Sequence, residues 1–207
     1  KKTFQLYAGS DENLIEFKTE TSQYEDSLRI HLDPSILIFD ALVWDIPASN
    51  QILIGENKIE FQSMRISRGN QFISFEDNPG DNDLVVNIQR FNLSNIISYL
   101  NPDTLLASGN INGQITLEEP LGNAGLIADV RIDSLQVLQV DLGTMDLYGE
   151  TEDARNYSAD LLLKGGEIDL TAEGEYHATD DQTQVMLDLQ IDSIKMNAVE
   201  TFSMGTI

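Results

Sequence analysis

The chain contains no cysteine. Disulfides and cysteine-ligated zinc are excluded, which fits a reducing compartment or a bacterial periplasm equally. Histidine is nearly absent too. His31 and His177 each sit at a strand edge with no neighbouring ligand pattern, so no transition-metal site is expected. Basic residues are scarce: 12 lysines and arginines face 35 aspartates and glutamates, for a formal net charge of −23. Such a surface repels nucleic-acid phosphates and anionic head groups, and it keeps a sticky β-protein in solution. No apolar run approaches the ~18 residues of a membrane-spanning helix. The longest, from Ile36 to Ile46, is interrupted by Asp40 and Asp45. Lys1-Lys2-Thr3-Phe4 opens no signal peptide, and any membrane anchor of a parent protein is expected outside this chain.

Catalytic motifs are missing as well. No nucleophile elbow, phosphate loop or dinucleotide fingerprint occurs. The glycines of Gly109-Asn110-Ile111-Asn112-Gly113 lie within an alternating strand rather than before a helix. Asp77, Asp81 and Asp83 flank Pro79-Gly80 at a density that could hold calcium, but the spacing matches no EF-hand and reads as turn chemistry. Glu173 and Glu175 share one solvated strand face, with no cleft between them of the kind a glycosidase pair needs. The expectation is a protein that is not an enzyme and has no cofactor.

What the sequence has in abundance is alternation with a period of two. In Glu167 to Tyr176, the residues Ile168, Leu170, Ala172 and Tyr176 point one way. Glu167, Asp169, Thr171, Glu173 and Glu175 point the other. This is a half-buried strand with one dry and one acidic face. The strand before it puts Tyr157, Ala159, Leu161 and Leu163 on its dry side. Gly165-Gly166 between them suits a two-residue hairpin, because both central residues accept positive φ. Further dry faces follow from Ile111, Ile115 and Leu117, from Leu126, Ala128, Val130 and Ile132, and from Val185, Leu187, Leu189 and Ile191. Turns are expected at Gly122-Asn123, Asp153 to Asn156 and Asp180-Asp181. About fourteen strands are counted. One helix is predicted over residues 93 to 100 from the stripe Leu93, Ile96, Ile97 and Leu100, capped by Asn92 and ended before Pro102. Its apolar side is expected to plug against the sheet. A weaker turn is expected near Asn197 to Phe202.

An internal repeat is visible. Leu84, Val86, Ile88, Phe91, Leu93, Ile96 and Tyr99 align without gaps on Leu187, Leu189, Ile191, Ile194, Met196, Val199 and Phe202, an offset of 103 residues. Repeats of strand-rich units favour an elongated, stacked architecture. The chain is therefore expected to form one continuous β-unit over residues 1–207, with repeat-like halves of about 1–100 and 101–207. The second copy ends before the strand that follows the helix in the first, so an excised fragment of a longer protein is expected. The predicted fold is all-β, an elongated curved antiparallel sheet with an apolar concave face. A β-sandwich, in which two dry faces bury one another, satisfies the same periodicity.

The order of features resembles a known family. Trp44-Asp45-Ile46-Pro47 is followed by Ile52-Leu53-Ile54, Ile59-Glu60-Phe61 and the run Met64 to Ser74. Then come the strand Leu84 to Ile88, the helix Leu93 to Leu100, Ala107-Ser108-Gly109-Asn110-Ile111, and Leu142-Gly143-Thr144-Met145-Asp146-Leu147. Over roughly residues 28 to 207 this is similar to the C-terminal half of the TamB-like translocation and assembly module proteins, relatives of AsmA-type bridge-like lipid-transfer proteins. The resemblance implies a trough lined by apolar side chains that shields phospholipid acyl chains between inner and outer membranes. It also implies a periplasmic location, an inner-membrane anchor elsewhere in the parent protein, and an outer-membrane partner of the Omp85 barrel class. The groove would be lined by the alternating aliphatics from Ile111 to Ile191 named above, with Leu170 facing lipid and Thr171 facing water. A charge at position 170 should then be tolerated by the fold. The competing expectation is a structural or adhesive sandwich module that binds calcium or glycan.

Overall fold

A computed structural model describes residues 1–8, 15–39, 41–78, 83–100, 106–122, 125–153, 155–179 and 182–204. It is an all-β protein whose described residues form fifteen strands and two short helices, in two antiparallel sheets that do not close into a barrel. The first sheet takes β1 (Lys2–Ala8), β2 (Ile15–Tyr24), β3 (Ser27–Phe39), β5 (Gln51–Ile54) and β6 (Ile59–Gln62), with the two-residue β4 (Leu42–Val43) folded onto the end of β3. The second sheet is a nine-stranded meander. Its strands are β7 (Met64–Arg68), β8 (Gln71–Asn78), β9 (Asp83–Asn92), β10 (Ala107–Glu118), β11 (Gly125–Val137), β12 (Val140–Asp153), β13 (Asn156–Gly165), β14 (Ile168–Ala178) and β15 (Thr183–Ile194).

The break into two sheets is absent from the periodicity. It falls after β6, where the chain turns through Ser63 at φ 52°. The two sheets are tied by Asp45 and Ser67, whose backbone groups exchange hydrogen bonds of 2.8 and 2.9 Å. They are sealed by a shared cluster of Leu37, Trp44, Ile46, Met64 and Phe91. Trp44 is 1% exposed, lies 5.6 Å from the Phe91 ring, and donates its indole N–H to the Phe39 carbonyl. Asn50, also 1% exposed, replaces a missing piece of ladder: its amide accepts from the Leu32 N–H and donates to the Leu32 and Pro47 carbonyls. His31 donates Nδ1–H to the Asn50 carbonyl, and His177 meets Asn156 Oδ1 at 2.8 Å. His31 thus ties β3 to the turn that precedes β5, and His177 ties β14 to β13.

The helices depart from expectation. α1 (Ser94–Leu100) begins after Leu93, whose N–H bonds the Gly109 carbonyl of β10. Asn92 caps it as predicted, accepting from the Ser94 N–H and hydroxyl. That anchorage rotates the helix so that Asn95 is buried at 5% and Ile96 is 42% exposed, so Ile96 does not join the plug. α2 (Met196–Met204) is a full helix where only a turn was expected. Of its described side chains Ala198 is buried, and one small residue gives a weak apolar stripe.

The glycine pair is also different. Leu163 pairs with Leu170, so the β13–β14 connection is wider than two residues. Only Gly165 has positive φ (83°). Gly166 is needed for close approach, because a Cβ there would overlap the Leu142 backbone. Two-residue hairpins occur instead at Glu25-Asp26, at Gly69-Asn70 and at Leu138-Gln139, the last between paired Val137 and Val140 with φ of 50° and 69° and no glycine.

Pro79, Gly80, Asp81, Asn101, Pro102, Asn123, Asp180, Asp181 and residues 205–207 lie outside the described residues, as do the side chains of Tyr99, Leu100 and Phe202. The aspartate-rich loop, the helix stop and all three expected turns, the second of them through Ala154, therefore fall wholly or partly there.

Candidate functional site

Antiparallel register decides which side chains share a face. In the second sheet it places all sixteen predicted lining residues on one side. Ile111, Ile132, Met145, Leu163, Leu170 and Ile191 follow each other across the strands at one level. Gly113, Val130, Leu147, Leu161, Ala172 and Leu189 form the next. Ile115, Ala128, Gly149, Ala159, Gly174 and Leu187 form a third, in which small residues occupy the middle. Leu117 pairs with Leu126, and Tyr157 with Tyr176 and then Val185, at the outermost level. Ile168, opposite Ile194, packs against the buried cluster near the helices. From β9 to β15 the described positions of this face carry no charged side chain. Met145 and Leu147 on β12 belong to it too. Alternation within Thr144 to Gly149 could have found them.

Burial along the face is graded. At the helix end, Ile132, Leu135, Val140, Leu142, Leu163 and Ala198 form a sealed cluster, with Leu161 and Leu170 half-buried against it. Away from it the cover thins. Leu117, Tyr157 and Tyr176 are 36–40% exposed, and Val185, Leu187, Leu189 and Ile191 are 51–71% exposed. β15 is exposed at every position. At ~4.8 Å between strands, nine strands span about 38 Å. The strands are divided between two sheets rather than stacked in one. Both sheets bring apolar side chains to the Trp44 cluster, and the edge strand of the first sheet also leaves Phe4 and Leu6 exposed.

The opposite face is acidic. Asp160 pairs with Glu173 and Glu173 with Asp188, so three carboxylates stand on adjacent strands. Cations interrupt the pattern further along, at Lys164 on β13 and at Arg131 on β11. Arg131 donates to Asp133 at 2.8 Å and to Asp146 at 3.0 Å, and the two carboxylates raise its pKa. Tyr148, between Asp129 and Asp160, donates to Glu150 at 2.7 Å; that bond raises its pKa, with burial second. Among the described residues, no three histidine, aspartate or glutamate side chains are grouped to hold a metal ion. No described helix is long and apolar enough to cross a membrane.

One amphipathic sheet thus presents aliphatic side chains on one side and carboxylates on the other. The dry side can hold an apolar chain by area alone, at about 25 cal/mol per Å² removed from water. At its open end the hydroxyls of Tyr157 and Tyr176 are the polar groups nearest to it. No family model, curated protein or solved structure matches this chain.

Proposed function

We propose that this chain is a lipid-shielding segment of a TamB-like envelope protein, and that the apolar face of its second sheet receives phospholipid acyl chains passing between the inner and outer membranes. One observation carries the reading: an uncharged apolar face runs through β9 to β15 and stays accessible along β15 and at the Tyr157–Tyr176 end of β13 and β14. A soluble protein that leaves such a patch open needs an apolar occupant for it. An acyl chain of ~15 Å, half of a ~30 Å hydrocarbon core, is well within the width of the sheet. The small middle level of Ala128, Gly149, Ala159 and Gly174 leaves a shallow furrow between bulkier neighbours. The acidic outer face keeps the segment in solution and away from anionic membrane surfaces, as suits a periplasmic bridge. Contact with an Omp85-class barrel is assigned to the full-length protein.

The test uses neighbouring residues on opposite faces. Ala159 is exposed on the apolar side and Ser158 on the acidic side. Ala159→Arg should fold normally and lose binding of a fluorescent lysophospholipid. Ser158→Arg should keep it. Mass spectrometry of the purified wild-type chain should find phospholipid in stoichiometric amount. Equal lipid binding by both variants, or no lipid in any preparation, would remove the proposal.

A further inference from the structure

The second sheet departs from regular geometry at one place on its polar side. Among the described residues, two non-glycine residues with positive φ fall inside strands: Arg90 in β9 at 49° and Ser134 in β11 at 53°. Both sit where the ladders flanking β10 shift register. Such bulges re-aim the side chains beside them, and backbone strain of this kind gathers at functional sites. Here they flank a pocket of about 320 Å³ lined by Asn70, Gln71, Arg90, Asn110, Asn112 and Asp133. The pocket lies on the side of the sheet away from the apolar face, since Asn110 and Asp133 alternate with Ile111 and Ile132.

Part of the lining is committed to structure. The Arg90 backbone N–H donates to Asn112 Oδ1 at 2.9 Å, and Asn112 Nδ2 donates to Asp133 Oδ2 at 3.1 Å. Arg131 Nε donates to the other Asp133 oxygen at 2.8 Å. The rest is uncommitted. Gln71 Oε1 is buried with no hydrogen-bond partner. Among the described residues, no side chain pairs with the Arg90 guanidinium, in a chain with 35 acidic residues to 12 basic ones. The side-chain amides of Asn70 and Asn110 make no hydrogen bond within the same set. An orphaned buried acceptor and an arginine in strained backbone each cost stability, and both line one pocket.

We infer that this pocket binds a neutral saccharide ring through its hydroxyls. Arg90 only donates, Gln71 Oε1 and Asp133 only accept, and the asparagine amides do both. A hydroxyl is donor and acceptor at once, so neighbouring hydroxyls on a ring satisfy the whole set. A simple oxyanion has no hydrogen to give Gln71 Oε1, and it meets both Asp133 and the field of a chain with net charge −23. An ammonium ion has no acceptor for Arg90. The volume stands at the small end of the ~300–1,000 Å³ range of ligand clefts, the size of one ring. The inference does not rest on the lipid-binding reading, which uses the other face.

The test is an NMR titration of the intact chain with glucose, galactose, mannose and N-acetylglucosamine. Each is taken to about 100 mM, far above the ~1 mM dissociation constant of a weakly held ligand. At least one sugar should give saturable shifts at the side-chain amides of Gln71, Asn110 and Asn112. Two variants separate binding from folding. Arg90→Gly removes the guanidinium and relieves the positive φ. Gln71→Met removes the orphaned acceptor at similar size. Each should weaken the sugar about ten-fold, as loss of a buried or charged hydrogen bond does, and should melt no lower than wild type. No shift with any of the four sugars would overturn the inference. Equal or larger shifts from inorganic phosphate at matched ionic strength would give the pocket to an oxyanion and overturn it too. Sugar shifts that persist in both variants would place the sugar elsewhere, and lower melting of both variants would show that Arg90 and Gln71 serve the fold alone; either result sinks it.

Discussion

Tyr157 and Tyr176 face each other across β13 and β14 with ring centroids 5.6 Å apart and planes at 70°. The edge-to-face pair stands at the open end of the apolar face, 40% and 37% exposed. Such pairs contribute about 0.5–1.5 kcal/mol beyond area burial. Tyr157→Ala and Tyr176→Ala should each lower the urea midpoint, and a double-mutant cycle should return a coupling in that range. Strictly additive losses would show that the rings are neighbours without interacting.

Leu170 shares the apolar face but is packed toward the sealed cluster, between Leu163 and Ile191. On sequence alone, an arginine there should snorkel to water and leave the fold intact. Its half-buried setting points the other way. Leu170→Arg should cost roughly 2–3 kcal/mol, because the cation is drawn into contacts that exclude water. Thr171→Arg, on the acidic side, should be neutral or slightly stabilising. Thermal melts of the two variants decide it, and equal midpoints would show that the cluster stops short of β14.

Backbone conformation makes two opposite predictions for glycine. Gly166→Ala should destabilise by about 1–3 kcal/mol, since the new Cβ overlaps the Leu142 backbone and the strand must shift. Gln139→Gly should gain up to ~1 kcal/mol, because a side chain at φ 69° gives way to a residue that adopts it without strain. Gly174→Ala is the control: its Cβ would make ordinary contacts no closer than 3.8 Å. Chemical denaturation should therefore find Gly166→Ala least stable, Gly174→Ala near wild type and Gln139→Gly most stable.

The first sheet carries a pH-dependent contact. Lys18 donates to Asp33 at 2.7 Å between β2 and β3. The Lys18 bond, then the Ser35 hydroxyl and backbone N–H, hold the Asp33 carboxyl far below its ordinary range, while the Asp33 bond raises Lys18. A depressed carboxylate stabilises the fold above the unfolded-state value of ~3.9, and that contribution fades as pH falls through the folded value. The raised lysine contributes below about 10.4 and fades as pH rises through its folded value. The melting difference between wild type and Asp33→Asn should therefore be flat from about pH 5 to 9, and should shrink in acid and in high salt. A difference that peaks near neutrality would implicate another group.

The sequence made the strands legible because a two-residue period needs only one dry face. Leu126 to Ile132 and Val185 to Ile191 reveal themselves in this way. It did not reveal which dry face each strand joins, so the division into two sheets at Ser63 was hidden. Asn50 was hidden too, since a buried amide that completes a ladder looks like any loop asparagine. The Leu138-Gln139 hairpin escaped because neither residue is a glycine, and Gly165-Gly166 misled because close approach and positive φ ask for the same amino acid. The lining positions were readable from alternation, whereas their graded exposure depends on where α1 and α2 dock.

The second sheet is a meander in which every strand pairs with its neighbours in the chain. Mechanically this is a zipper. Tension applied between β7 and β15 acts across the strands, loading the hydrogen bonds of one ladder at a time instead of shearing them together. Under an optical trap the segment should pay out one hairpin after another at low force, beginning at an outer strand, where a single ladder carries the load. A bridge built this way yields strand by strand when its two ends are pulled apart, and it re-zips from the sealed cluster outward when the pull relaxes.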